Sequence, residues 1–180
     1  MSIVVGIDYS MSSPSICVHQ GSRWSFDNCK FYFLTGKKKY QVRDAQFCGQ
    51  AHKDFLTQEE RFDGIASWAL SCIPESSKIS IEGYAFAAKG VVFDIAENTA
   101  ILKHKLFKKK MLEDFSIISP PTVKKFATGK GNANKLKMYE SFIEEVGFEL
   151  HKHFGCAEGQ SPISDIVDSY YIAKYTFHKS

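Results

Sequence analysis

Ile3-Val4-Val5-Gly6-Ile7-Asp8, residues 3–8, decides the reading of the fold. The run is short and β-branched, and a polar stretch follows it, so residues 2–8 are predicted to form a buried strand. It ends in a carboxylate. A charge that joins a core element is costly unless something compensates it, and the tip of a central strand is a common place for a functional group. A second run, Lys78-Ile79-Ser80-Ile81-Glu82, has the same form and also ends in an acid. If the two strands are parallel neighbours, Asp8 and Glu82 project from one edge of the sheet.

Working outward, Ser15–His19 and Lys30–Leu34 read as two further strands, closely spaced and so antiparallel neighbours. Residues 35–57 have no clear period and are taken as an irregular insertion or a mobile loop. Thr57 with Glu60 forms a capping-box pattern, after which Phe62, Ile65, Ala69 and Ile73 fall on one helical face. Val92, Ile95, Thr99, Leu102 and Leu106 make a second stripe, read as core ahead of a dimer interface. Ser116–Ser119 is a short strand stopped by Pro120-Pro121. Helical stretches follow around 121–127, 133–146 and 164–177, with 151–163 as a loop. The order βββ-α-β-α-β-α-α-α predicts an α/β fold: one domain, residues 1–180, with a mixed five-stranded sheet and helices on both faces.

The bulk composition narrows the class. A chain of 180 residues fits one domain that buries about 70% of its unfolded surface. Fifteen Phe and eight Tyr can fill a core or supply stacking surfaces. The net charge is only +3, but it is unevenly placed. Between Lys103 and Lys137, ten Lys face only Glu113 and Asp114, a local balance of 10 − 2 = +8, which leaves 3 − 8 = −5 for the remainder. A basic third beside an acidic remainder suits a polyanion partner held next to an acidic site. Five Cys without a C-x-x-C argue against a disulfide framework and a zinc site, and fit reduced thiols in a cytoplasmic protein. No membrane partner is expected, since no segment reaches the roughly 20 apolar residues of a membrane span.

Asp165 and Asp168 are three apart, so a helix places them on one face. Docked against the sheet edge, that face completes a group of four carboxylates with Asp8 and Glu82. At an effective dielectric near 20, each close pair costs about 4 kcal/mol at about 4 Å, and a divalent cation relieves this. Oxygen donors without His or Cys suit Mg²⁺ or Mn²⁺. Two such ions roughly 3.5–4 Å apart can activate a water and stabilise the leaving oxygen of a phosphodiester. Taken singly, each acid has a plain reading as a turn, a polar cap or a solvated face; their joint occurrence favours a site. Asp94 and Glu97, one turn apart on a helix, are read as a polar face. The second constellation is Val123-Lys124-Lys125 through Gly129-Lys130-Gly131-Asn132-Ala133-Asn134-Lys135. Its glycines allow backbone to approach a phosphate, its lysines supply charge, and its asparagines can donate to phosphate or cap the next helix.

These motifs resemble the RuvC family of Holliday-junction resolvases within the RNase H-like superfamily. Gly6-Ile7-Asp8-Tyr9-Ser10 looks like its first acidic motif and Ile81-Glu82 its second. Asp165-Ile166-Val167-Asp168-Ser169-Tyr170-Tyr171-Ile172-Ala173 is similar to its C-terminal D-x-x-D-A-L-A-x-A helix. Val123-Lys124 through Lys135 matches V-K-x-x-x-x-G-x-G-x-A-x-K in residue type and spacing. The resemblance implies an RNase H-like fold, a homodimer, and Mg²⁺-dependent nicking of four-way junctions, with Mn²⁺ as a substitute. Asp8, Glu82, Asp165 and Asp168 would hold the metals, and Lys124 and Lys135 match DNA-contacting lysines. Lys125 and Lys130 are added on charge alone. Gly83 and Ala85 stand where the family has Gln and an aromatic, which leaves Tyr84 and Phe86 as the aromatic candidates for DNA contact. Ser169, Tyr170 and Tyr171 replace smaller or aliphatic residues. The implied setting is the cytoplasm of a bacterial or phage-infected cell.

Three other readings share these residues. Actin-like and sugar-kinase ATPases have a similar first loop, but need a duplicated domain for which 180 residues leave no room. A non-catalytic junction-binding protein would not need all four carboxylates. A nuclease of RNA–DNA hybrids or branched replication intermediates is the nearest rival.

Overall fold

β1 (Ser2–Asp8) is paired on both sides, which explains why its apolar residues run on without alternating. In the computed structural model, which describes residues 2–83 and 92–179, it is antiparallel to β2 (Ser15–Gly21) from Ser2↔Gly21 to Asp8↔Ser15. On its other side it is parallel to β5 (Lys78–Glu82), from Val4↔Lys78 to Ile7↔Ile81. β3 (Cys29–Leu34) pairs antiparallel with β2, and β6 (Phe115–Ile118) parallel with β5. Tyr84 and Phe86 lie outside the described residues.

The sheet has six strands, in the order β4-β3-β2-β1-β5-β6, where five were expected. The extra strand, β4 (Phe47–Gln50), falls inside the stretch read as irregular and is parallel to β3. Four residues, Phe-Cys-Gly-Gln, are too few to display a period. Tertiary contacts make the strand instead. The Asp44 carboxylate accepts the Gln46 and Phe47 backbone N–H groups at 2.8 and 2.6 Å, turning the chain into the strand, and Phe47 stacks on Phe31 with ring centres 5.3 Å apart. The expected loop at 151–163 is also partly helical, because Leu150 and Phe154 of α5 (Leu150–Phe154) are buried.

Helices cover both faces. α1 (Gln58–Cys72) and α2 (Val92–Lys108) pack on one, where Ile65, Ala69, Leu102 and Leu106 meet Val5, Ile7, Ile79 and Ile81. Thr99, Leu102 and Leu106 are buried, so this part of the second stripe is core, while Val92 and Ile95 at its start are half-buried. α3 (Pro120–Thr128), α4 (Lys135–Val146) and α6 (Ile163–Lys179) cover the other face, with Val123, Met138, Phe142 and Ile166 against Phe31 and Phe33. Pro120 and Pro121 open α3 instead of merely stopping β6, since the first helical turn needs no N–H from them. Among the described residues no helix is long and apolar enough to cross a membrane.

α6 lies flat on β1 at Gly6. A Cβ there would stand 2.2 Å from the Ala173 backbone nitrogen and 2.4 Å from the Ser169 carbonyl oxygen, so only glycine permits this approach. Two hydroxyl pairs pin the helix to the neighbouring strands: Ser169 to Ser15 of β2 at 3.0 Å, and Thr176 to Ser80 of β5 at 2.7 Å. Tyr170 and Tyr171 are buried, and the Tyr170 hydroxyl donates to Glu145 of α4 at 2.6 Å. The larger residues in this helix therefore serve its packing.

Candidate active site

Strand alternation sends the two strand acids to the α6 side. Val5 and Ile7 point into the α1–α2 core, so Gly6 and Asp8 face α6. In β5, Ile79 and Ile81 join the same core while Ser80 bonds Thr176 of α6, so Glu82 leaves on that side too. The Ile7↔Ile81 pairing sets Asp8 level with Glu82 at the C-terminal ends of two parallel strands. The first turns of α6 bring Asp165 and Asp168 to the same place.

The electrostatics set the four within reach of one another's charge. Asp8 keeps some exposed surface but is packed on most sides. Burial raises its proton affinity most, followed by the charges of Asp168, Asp165 and Glu82, with Lys135 opposing. Burial, then Glu82 and Asp165, push the Asp168 carboxyl up to about 7 against the pull of Lys135 and Lys124. Glu82 is raised by burial and eased by the same two lysines. Asp165 is raised by burial and eased by Ser161, Lys135, Ser13 and Ser164. Only close charges in a poorly solvated site act on one another in this way.

Such a group needs protons or a cation. The donors are all oxygen, and Asp165 Oδ2 is buried without a hydrogen-bond partner among the described residues, so the set fits a hard divalent ion. As the side chains stand, no three His, Cys, Asp or Glu among the described residues form a ready-made metal cage. The acids are neighbours that a cation would still have to draw together.

The lysine segment divides in two. Gly129, at a φ of 77°, caps α3 with its N–H on the Lys125 carbonyl. Asn134 caps α4 by accepting the Lys137 N–H at 2.9 Å, so its side chain is already engaged. Lys135 opens α4 and donates from Nζ to Ser164 Oγ at 3.2 Å, beside Asp165. Its charge is felt at all four acids, and that of Lys124 at Glu82 and Asp168. Lys125 and Lys130 are exposed and shift none of the four, so the structure does not bring them into the cluster. Asp94 accepts from Gln58 at 3.0 Å and Glu97 is exposed, as expected of a polar face.

The sequence reading missed Arg61 and the serines. Ser161 and Ser164 ease Asp165 from just ahead of it in the chain, and Ser13 does so from the loop after β1, which no spacing reveals. Arg61 lines a cleft of about 370 Å³ together with Asp8, Ser10, Glu82, Ile95 and Thr99. One signal was available: Arg61 follows Glu59 and Glu60 in the N-terminal turn of α1, where the helix dipole disfavours a cation.

No protein-family model matches the chain, and no curated protein matches it in sequence. Solved structures do match. Thermus thermophilus RuvC aligns over 98% of this chain and 93% of its own at a TM-score of 0.59 and 17% identity. The same protein in complex with Holliday junction substrate aligns over 99% and 93% at a TM-score of 0.63 and 16% identity. The yeast mitochondrial Holliday junction resolvase Ydc2 aligns over 98% and 79% at a TM-score of 0.51 and 17% identity. The chain therefore has the RuvC form of the RNase H-like fold, with six strands in its sheet.

Proposed function

We propose that this protein is a metal-dependent endonuclease that resolves four-way DNA junctions and acts as a homodimer. The observation that carries the reading is the convergence of Asp8, Glu82, Asp165 and Asp168, with Lys124 and Lys135 beside them, on a fold that RuvC shares. Thermus thermophilus RuvC has been captured with Holliday junction substrate, which supports branched DNA as the partner here.

In this reading the four acids hold Mg²⁺, for which Mn²⁺ can substitute. Bound metal supplies an activated water and stabilises the leaving oxygen. The chain supplies the rest. Lys135, tied to Ser164, partly offsets the raised proton affinity of the acids by its charge and offers its remaining protons to a phosphate. Lys124 adds a second phosphate contact, and Lys125 and Lys130 extend a weaker basic surface outward. The test is cleavage in Mg²⁺ of a synthetic four-way junction, a linear duplex and an RNA–DNA hybrid. Nicking of the junction far faster than the duplex is expected. Equal cleavage of the hybrid, or none of the junction, overturns the substrate assignment.

A further inference from the structure

We infer that Arg61 is a phosphate-binding residue of this site, gripping the DNA backbone on the side of the acids away from Lys124 and Lys135. The inference rests on the nuclease reading above, and it concerns a residue that neither spacing nor motif singles out.

Position comes first. The lysines stand with α3, α4 and α6 on one face of the sheet. Arg61 stands at the start of α1 on the other face, and its cleft opens between β1, β5 and α2. Asp8 and Glu82 sit at the sheet edge and contribute to that cleft. A strand crossing the edge over the acids thus runs from the lysines on one face to Arg61 on the other. Among the described residues the cleft, at about 370 Å³, has room for a sugar-phosphate unit.

The guanidinium is also prepared and largely unspent. Its Nη2 donates to the Met11 carbonyl at 2.9 Å, and its carbon lies 5.3 Å from the centre of the Phe55 ring. These two contacts fix its position without neutralising it. Among the described residues Arg61 forms no ion pair, although Glu59 and Glu60 precede it in sequence; its Nε is buried, which leaves the terminal nitrogens to meet a ligand. Its charge shifts none of the four acids, so like Lys125 and Lys130 it stands outside the cluster itself; what ties it to the site is the cleft wall it shares with Asp8 and Glu82. An arginine held by one donor, at the wall of a cleft that Asp8 and Glu82 also line, is suited to an external anion through its terminal nitrogens. The planar fork matches two oxygens of one phosphate.

A purely structural role is the competing account: Arg61 would hold the Met11 loop and nothing more. Two variants separate the accounts. Arg61→Gln and Arg61→Lys are compared with the unaltered protein in three measurements: thermal midpoint, four-way-junction affinity across a salt series without cleavage-supporting metal, and single-turnover cleavage in Mg²⁺. Arg61→Gln is expected to lower affinity with a salt slope shallower by about one counterion, and to slow cleavage by roughly 10–100-fold through poorer strand placement. Arg61→Lys should restore the slope, because charge is kept, while recovering cleavage only partly, because the fork is lost. Since it keeps the charge and the stem, it also serves if Arg61→Gln does not fold. In that case full cleavage by Arg61→Lys overturns the inference and partial cleavage supports it. A lowered midpoint with an unchanged slope and rate in Arg61→Gln overturns it as well. If the unaltered protein cleaves junctions and Arg61→Gln cleaves equally well, Arg61 alone is misread. If the unaltered protein prefers another nucleic acid, the slope is compared on that ligand. A shallower slope there keeps Arg61 and removes the junction assignment. An unaltered protein that binds no nucleic acid overturns both.

Discussion

The two faces of the sheet at its Asp8–Glu82 edge are built differently. On the α6 face the chain is locked: Gly6 lets helix and strand touch backbone to backbone, and Ser169 and Thr176 bolt the helix to β2 and β5. On the α1–α2 face there is an open cleft with Arg61 at its wall. The locked face carries the acids, and on the proposed nuclease reading their mutual placement has to be held closely. Among the described residues the open face has the room that the proposed backbone phosphate needs. On that reading, geometry for reaction and space for substrate are divided between two sides of one strand pair.

The largest effect that can break this division comes from Asp8. Asp8→Asn should reduce cleavage by at least about 1000-fold, since removing one member of a group that acts together removes most of its effect, while junction binding persists. Binding assays and single-turnover cleavage check this, and loss of binding as well would show that Asp8 serves the substrate surface. Gly6→Ala comes next. The added carbon collides with α6 backbone, which cannot move like a flexible side-chain tip, so destabilisation of about 1–3 kcal/mol is expected. Cleavage should fall with it as Asp165 and Asp168 shift. Denaturant unfolding checks the first part, and a Gly6→Ala protein of full stability would mean that α6 is not locked at this point.

Lysines sharpen the comparison at a smaller scale. Lys124→Ala should weaken junction binding with a salt slope shallower by about one counterion. Lys125→Ala and Lys130→Ala should change affinity less and leave cleavage of bound junction intact, because neither charge reaches the acids. Affinity measured across a salt series ranks the three. Equal losses would make the segment a uniform basic surface with no inner pair.

What was legible in the sequence follows the same division. β1, β5 and α6 could be read because the residues that form each element also carry its candidate site residues: a strand that runs apolar until it meets an acid, or a helix with acids three apart. Their convergence needed only parallel pairing, which Ile7↔Ile81 supplies. β4 escaped because Asp44 and Phe31, both outside it, make it a strand. Arg61 escaped for a related reason. Its partners Met11 and Phe55 are 50 and six positions away, on segments without a period, and nothing in spacing joins them. Lys125 and Lys130 were indistinguishable from Lys124 and Lys135 by charge, and only the docking of α3 and α4 against α6 separates the pairs.

The smallest expected effect probes the locked face without DNA. Burial and like charges raise the proton affinity of Asp8 and of Asp168, the latter to about 7. In the unfolded chain both revert to ordinary carboxylates near 3.9. Acids with raised folded values bind protons more tightly when folded, so their stabilising share is full below about pH 4. It is lost as pH rises from there through about 7 for Asp168. Without divalent metal, the thermal midpoint should therefore decline across that window by a few degrees more in the unaltered protein than in Asp168→Asn. Mg²⁺ should offset that extra decline most at the alkaline end, where the acids are ionised and ligand binding to the folded state adds stability. Thermal scans at several pH values, with and without Mg²⁺, check this. Parallel curves for the two proteins would mean that Asp168 does not share the field of its neighbours, and would loosen the face on which the metal assignment depends.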